Sequence, residues 1–267
     1  MSPLPSTLPR PQAPVLEARG LTLDYPSPQG PARAVTDVSF RVAAGERLVL
    51  LGPSGCGKSS ILKALAGFLK PAAGAVEIRG KTITGPGPDR LVVFQEFDQL
   101  LPWKSVRDNV AFPLRAARRL GLKEARARAA VALTKVGLGR ALDAYPHTLS
   151  GGMKQRAAIA RALAAEPDVL LMDEPFAALD ALTRRTLQED LLALAQEQGF
   201  TLVFVTHAID EAVLLGTQLH LLAAHPGRTI ATFDTSGLGL AERGTAPFED
   251  VVRQVHDLLF TGGALHV

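Results

Sequence analysis

The eight residues Gly52-Pro-Ser-Gly-Cys-Gly-Lys-Ser59 have the types and spacing that hold an anionic chain. Glycines without Cβ atoms let successive backbone N–H groups converge on phosphate oxygens. Lys58 adds a full positive charge able to bridge two phosphates, and the Ser59 hydroxyl is a hard oxygen ligand suited to Mg²⁺. A short apolar strand, Leu48 to Leu51, precedes the loop, and a stretch that reads as a helix from Lys58 to Leu69 follows it. That helix aims its partial positive end and its unpaired N–H groups at the β-phosphate. Strand, loop and helix together fit a nucleoside triphosphate, with Gly52, Pro53, Ser54, Gly55, Cys56, Gly57, Lys58, Ser59 and Ser60 as candidate contacts. Cys56 is best read as a small residue filling space beneath the loop, and its alkylation is expected to block nucleotide.

A second group of polar residues closes apolar runs. Val169-Leu-Leu-Met172 leads into Asp173-Glu174, the pattern of a central parallel strand ending in two acids. Asp173 at such an edge can hold Mg²⁺, directly or through water, and Glu174 can orient or deprotonate the water that attacks a γ-phosphate. The alternative, two acids capping a surface turn, is weakened by the four apolar residues that point them at the loop's edge. Thr201 to Val205 repeats the pattern and ends in Thr206-His207, where the histidine is either a structural residue or a hydrogen-bonding sensor of the γ-phosphate. Tyr25, at the end of the first strand-like stretch, either stacks on a purine ring or packs on the turn beside it. Ser150 is suited to cap the helix that follows it. Gly151 and Gly152 in that helix's first turn cost stability, and close approach of an anion would explain them.

These residues need an open, mostly parallel sheet covered by helices. Val15 to Leu23 and Val35 to Val42 precede the loop, broken by Pro26-Ser-Pro-Gln-Gly-Pro31, and are expected to form an antiparallel layer. Gly74 to Ile78 and Leu91 to Phe94 read as further strands. From Leu101 to Ala165 the periodicity turns helical, with helices expected over Val106 to Arg119 and Lys123 to Val136. Strand and helix then alternate to about Phe233, and residues 245–260 read as one amphipathic helix. The division that follows is a disordered lead-in at 1–14, a main domain at 15–240 with a helical subdomain at about 97–165, and a helical tail at 241–267.

At 267 residues and 47% apolar composition the chain can bury a sizeable core, and no run approaches the length of a membrane span, so a soluble protein is expected. Twenty-nine basic against 26 acidic residues leave +3, too little to argue for nucleic acid as a partner. Arg115, Arg118, Arg119, Lys123, Arg126 and Arg128 lack interleaved aromatics and read as a solvated helix face. The proline-rich first ten residues do not read as a signal peptide. One cysteine excludes an intramolecular disulfide and fits a reducing compartment.

With Gly52 to Ser59, Gln95, Leu149-Ser-Gly-Gly-Met153, Leu170-Leu-Met-Asp-Glu174, Ala178-Leu-Asp180 and His207 in this order, residues 15–225 resemble the nucleotide-binding subunit of an ABC transporter. The resemblance implies an α/β P-loop NTPase core with an N-terminal antiparallel β layer and a helical subdomain, binding ATP and Mg²⁺. It implies that Tyr25 stacks on adenine, that Ser59, Gln95 and Asp173 serve Mg²⁺, that Glu174 is the catalytic carboxylate and that His207 is the switch histidine. Gln95 would also link the attacking water to the cleft that receives a membrane partner. Ser150, Gly151 and Gly152 would meet the γ-phosphate of ATP held by a second copy of the chain, with Asp180 at the seam of a head-to-tail dimer.

Val93-Phe-Gln-Glu96, Leu100-Leu-Pro-Trp103, Asp108-Asn-Val-Ala-Phe112 and Asp173 to Ala181 look like the importer branch that handles nitrate, taurine and other sulfonates. That branch implies integral permease subunits, a solute-binding protein acting indirectly, and a peripheral place on the cytoplasmic face of the inner membrane. Trp103 would either pack on the permease or fill the core. The turn after Tyr25 is longer than usual for the family, and Ala177 replaces a glycine or serine. The competing expectation is a soluble ABC ATPase acting on nucleic acid or ribosomes. The coiled-coil insertions or basic extensions of such proteins are missing from this sequence.

Overall fold

The structure, a computed structural model, describes residues 13–28 and 30–260; most of the expected lead-in and the end of the expected tail lie outside them. The chain runs β1 Leu16–Tyr25, β2 Ala32–Val42, β3 Arg47–Leu51, α1 Lys58–Ala66, β4 Ala73–Ile78, β5 Lys81–Thr82 and β6 Arg90–Val93. Then follow α2 Val106–Ala116, α3 Leu122–Lys135, α4 Gly151–Ala164, β7 Val169–Asp173, α5 Ala181–Gln198, β8 Thr201–Thr206 and α6 Ile209–Leu215. The order ends with β9 Gln218–Ala223, β10 Arg228–Asp234 and α7 Ala246–Phe260.

Two sheets form. The larger has the order β10-β9-β3-β8-β7-β6, parallel from β9 to β6 and antiparallel only at β10. The smaller, β2-β1-β4-β5, is antiparallel throughout. The apolar runs at β3, β7 and β8 are buried on both faces, as central parallel strands must be. Side chains alternate across a strand, and that alternation divides the core. Leu48, Leu50, Val169, Leu171, Val203 and Val205 pack with α1 and the antiparallel sheet. Val49, Leu51, Leu170, Met172, Leu202 and Phe204 pack with α2 to α6. The phosphate-loop helix is thus held between two sheets. The apolar positions of α2 and α3, among them Val110, Leu114, Ala129 and Leu133, join the same core as the helices under the large sheet. So do Phe248, Val255 and Leu259 of α7, which packs on α6.

Three helix boundaries differ from the sequence expectation, for local reasons. α1 stops at Ala66 because Gly67 turns left-handed at φ 82° and its N–H bonds back to the Ala64 carbonyl, three residues short of Leu69. α2 stops at Ala116, and Arg119, expected to be helical, has φ 54°. α3 ends at Lys135, where Gly137 turns at φ 75°.

Candidate nucleotide site

Register brings the polar residues to one edge. Leu50 and Asp173 both pair with Val205, and Leu51 pairs with Thr206, so β3, β8 and β7 end level. The phosphate loop leaves β3 at the place where β7 ends in Asp173 and β8 hands over to His207.

Two of the loop's glycines are required by space. A Cβ at Gly52 would stand 2.6 Å from the Leu222 carbonyl and 2.8 Å from Cys56 Sγ. Gly57, at φ 87°, would place one 2.5 Å from Val35 Cγ2. Lys58 is buried, and its Nζ donates to the carbonyls of Gly52 at 2.8 Å and Pro53 at 3.0 Å, so the cation stitches the loop. Cys56 is fully buried with Sγ 3.8 Å from that nitrogen. Burial pushes its thiol above the ordinary range, partly offset by Lys58. It fills space beneath the loop, and the expected alkylation finds its sulfur closed off.

Two side-chain couples stand at the strand ends. The Ser59 hydroxyl donates to Asp173 Oδ1 at 3.1 Å, which sets two hard donors side by side, a fit for Mg²⁺. Burial pushes the Asp173 carboxyl up, the Ser59 hydrogen bond draws it down, and Glu174 adds a rise of its own; a bound cation would favour the charged form. Glu174 Oε2 lies 3.0 Å from His207 Nδ1. Glu174 has φ 43°, uncommon for a residue with a Cβ, and its N–H bonds the Val205 carbonyl at 3.0 Å, which turns the side chain out of the strand toward the histidine.

Tyr25 Oη donates to Ser60 Oγ at 3.1 Å, so the ring stands beside the first turn of α1. Ser150 caps α4 by accepting from the Met153 N–H at 3.3 Å, and Asp180 caps α5 by accepting from Thr183 at 3.0 Å, which holds its carboxyl below the usual range. A Cβ at Gly152 would stand 2.6 Å from the Thr183 methyl. Close packing of α4 on α5 therefore accounts for that glycine, where the sequence pointed only to an anion. Among the described residues no hydrogen bond joins Ser150, Gly151 or Gly152 to the phosphate loop. Gln95 is exposed just after β6.

Several supports escaped the sequence reading. Gln99 Nε2 donates to the Phe94 and Glu96 carbonyls, each at 3.0 Å, and the Gln99 carbonyl accepts from Arg161 at 2.6 Å, which fixes the segment carrying Gln95. Asn109 is fully buried and bonds Leu101, Lys104 and Ser105, bracing the loop on which Trp103 stands 70% exposed. Its signal is an amide on the apolar stripe of an amphipathic helix. The turn between β9 and β10 lies against the phosphate loop: a Cβ at Gly227 would stand 2.1 Å from the Cys56 carbonyl oxygen and one at Gly55 3.5 Å from His225 Cε1, while Gly227 itself bonds Ala34 and Thr36. Core packing of Trp103 is excluded by its exposure.

The profile of the ABC transporter family matches residues 35–177. The chain is 48% identical over 207 residues to the nitrate import ATP-binding protein NrtD of Synechococcus elongatus, covering 77% of this chain and 75% of that one. It is 50% identical over 203 residues to the taurine import ATP-binding protein TauB of Rhizobium johnstonii, covering 75% and 76%. Among solved structures, the dimeric post-hydrolysis state of the ATP-binding cassette MJ0796, bound to ADP and Pi, superposes with a TM-score of 0.71 at 30% identity over 82% of this chain and 98% of that one. CbiO1 of Clostridium perfringens, part of the ABC transporter complex cbiONQ, superposes at 0.74 and 28% identity over 94% and 97%. The chain belongs to the ABC transporter family, as one of its ATP-binding, ATP-hydrolysing subunits.

Proposed function

We propose that this chain hydrolyses ATP to drive an importer of a small anion such as nitrate, taurine or another sulfonate. The observation that carries the hydrolytic part is the pair of couples at one sheet edge, Ser59 with Asp173 and Glu174 with His207. The import direction and solute class rest on the relatives' stated activities.

In this reading ATP lies on the phosphate loop with its adenine on Tyr25, and Lys58 and the first-turn N–H groups of α1 hold the β- and γ-phosphates. Mg²⁺ on Ser59 and Asp173, with Gln95 completing its oxygen set, would neutralise the charge the phosphates share. Glu174 takes the proton of the water whose oxygen attacks the γ-phosphorus, the bond to the bridging oxygen breaks, and ADP and phosphate result. His207, fixed on Glu174 through Nδ1, turns its other ring nitrogen to the γ-phosphate. Ser150, Gly151 and Gly152 of a second copy close the site from the other side, with Asp180 at the seam. Trp103, Phe94 and Phe112 are exposed; Phe94 precedes Gln95 in the chain, and Lys104, next to Trp103, holds its Nζ 5.7 Å from the Phe112 ring centre. Such exposed aromatics would suit the cytoplasmic segment of a permease, and in this reading the chain sits peripherally on the inner face of the membrane.

Glu174→Gln tests the reading. Turnover should fall about 10²–10⁴-fold, the usual worth of a general base, while ATP binding persists. On a sizing column in saturating ATP and Mg²⁺ the variant should run as a dimer. A monomer under those conditions would count against the closed two-site arrangement.

A further inference from the structure

Glu211 is a buried carboxylate that none of the foregoing steps uses. It lies in the first turn of α6, where a free acid would serve the helix's own N–H groups. Its oxygens go elsewhere. Oε2 accepts the Thr206 hydroxyl at the end of β8, and Oε1 accepts Gln188 Nε2 of α5 at 2.8 Å. Thr206 Oγ1 in turn accepts the Ala208 N–H at 3.1 Å. Glu211, Gln188 and Thr206 are 8%, 6% and 2% exposed, so water offers no substitute for these bonds.

His207 stands between Thr206 and Ala208. Through the Thr206 hydroxyl, which bonds the Ala208 N–H, the carboxylate is coupled to the residues on both sides of the imidazole that meets Glu174, and through Gln188 to the helix capped by Asp180. Burying an acid is costly, and an apolar side chain would suit this core better unless those bonds serve a purpose.

We propose that Glu211 is a positioning residue for hydrolysis, fixing His207 in register on Glu174 and linking it to α5. The inference rests on the assignment of Glu174 and His207 as the hydrolytic pair. It adds a residue that touches neither nucleotide nor water.

Steady-state hydrolysis by four variants of the full chain tests it. Glu211→Leu strands the Thr206 hydroxyl and the Gln188 amide; kcat should fall at least about tenfold while KM for ATP stays within about twofold. Glu211→Gln should turn over at least about fivefold faster than Glu211→Leu, because Gln188 can turn its amide over and restore both bonds. A filler of α6 with no positioning role would give no such split and no such rescue, and kcat for Glu211→Leu within about twofold of the unsubstituted chain overturns the proposal. Where Glu211→Leu does not fold, Gln188→Leu takes its place: kcat lost at unchanged KM supports the link, and an unchanged kcat removes it. His207→Ala separates the two levels. If it retains full turnover, the pairing of His207 with Glu174 is at fault; if it loses turnover and the Glu211 and Gln188 variants do not, only the positioning role fails.

Discussion

Acid should weaken this fold through His220, by an amount the structure sets. His220 on β9 is 4% exposed, edge-on to Phe40 at 5.7 Å, and neither ring nitrogen has a partner among the described groups. Burial lowers its pKa from 6.5 to about 4. The unfolded chain then binds the proton more readily than the folded one between these values, so stability rises with pH there and is lost as pH falls below 6.5. Integrated from pH 7.5 to 5, the shift removes about 2 kcal/mol, and about 3 kcal/mol once pH passes below both values. With an m-value of about 3 kcal/mol/M, the urea midpoint should drop by about 0.7 M between pH 7.5 and 5 from this residue alone. Burial of Asp173 and Glu211 raises their pKa values and tilts the slope the other way, so the reading must be a difference. His220→Leu removes the titrating ring at similar volume. It should be at least as stable as the unsubstituted chain at pH 7.5, since two unpaired nitrogens leave the core, and should gain on it by about 2 kcal/mol at pH 5. If the gap between the two midpoints is the same at both pH values, the buried neutral histidine is refuted.

Other perturbations follow from the same geometry. Gly57→Ala adds a Cβ to a left-handed residue and sets it 2.5 Å from Val35; about 1–2 kcal/mol of backbone cost and about 1–3 kcal/mol of overpacking should lower the urea midpoint and abolish ATP binding in calorimetry. Cys56 should resist a thiol reagent at pH 8 in the folded chain and react fully in guanidinium; fast labelling of native protein would contradict its burial beneath the loop. Trp103→Ala should leave basal hydrolysis and thermal stability nearly unchanged, because the ring is exposed, and should weaken copurification of the permease from detergent-solubilised membranes. Equal permease recovery would take Trp103 out of that contact.

The sequence determined what is local. A phosphate loop is specified by contiguous residues, since converging N–H groups need glycines at fixed positions. The strands at β3, β7 and β8 were legible as unbroken apolar runs, and Ser150 as a cap, because backbone geometry and its nearest side chain decide both. Tertiary structure decided what meets what. Ser59 reaches Asp173 across 114 residues and Glu174 reaches His207 across 33, through a strand register that no local pattern encodes. The reason for Gly152 lies in Thr183 on another helix, and the surface place of Trp103, on a loop that Asn109 bonds at Leu101, is a property of the fold. Glu211 was unremarked for the same cause: an acid in the first turn of a short helix reads as a cap until the fold sets Thr206 and Gln188 against it.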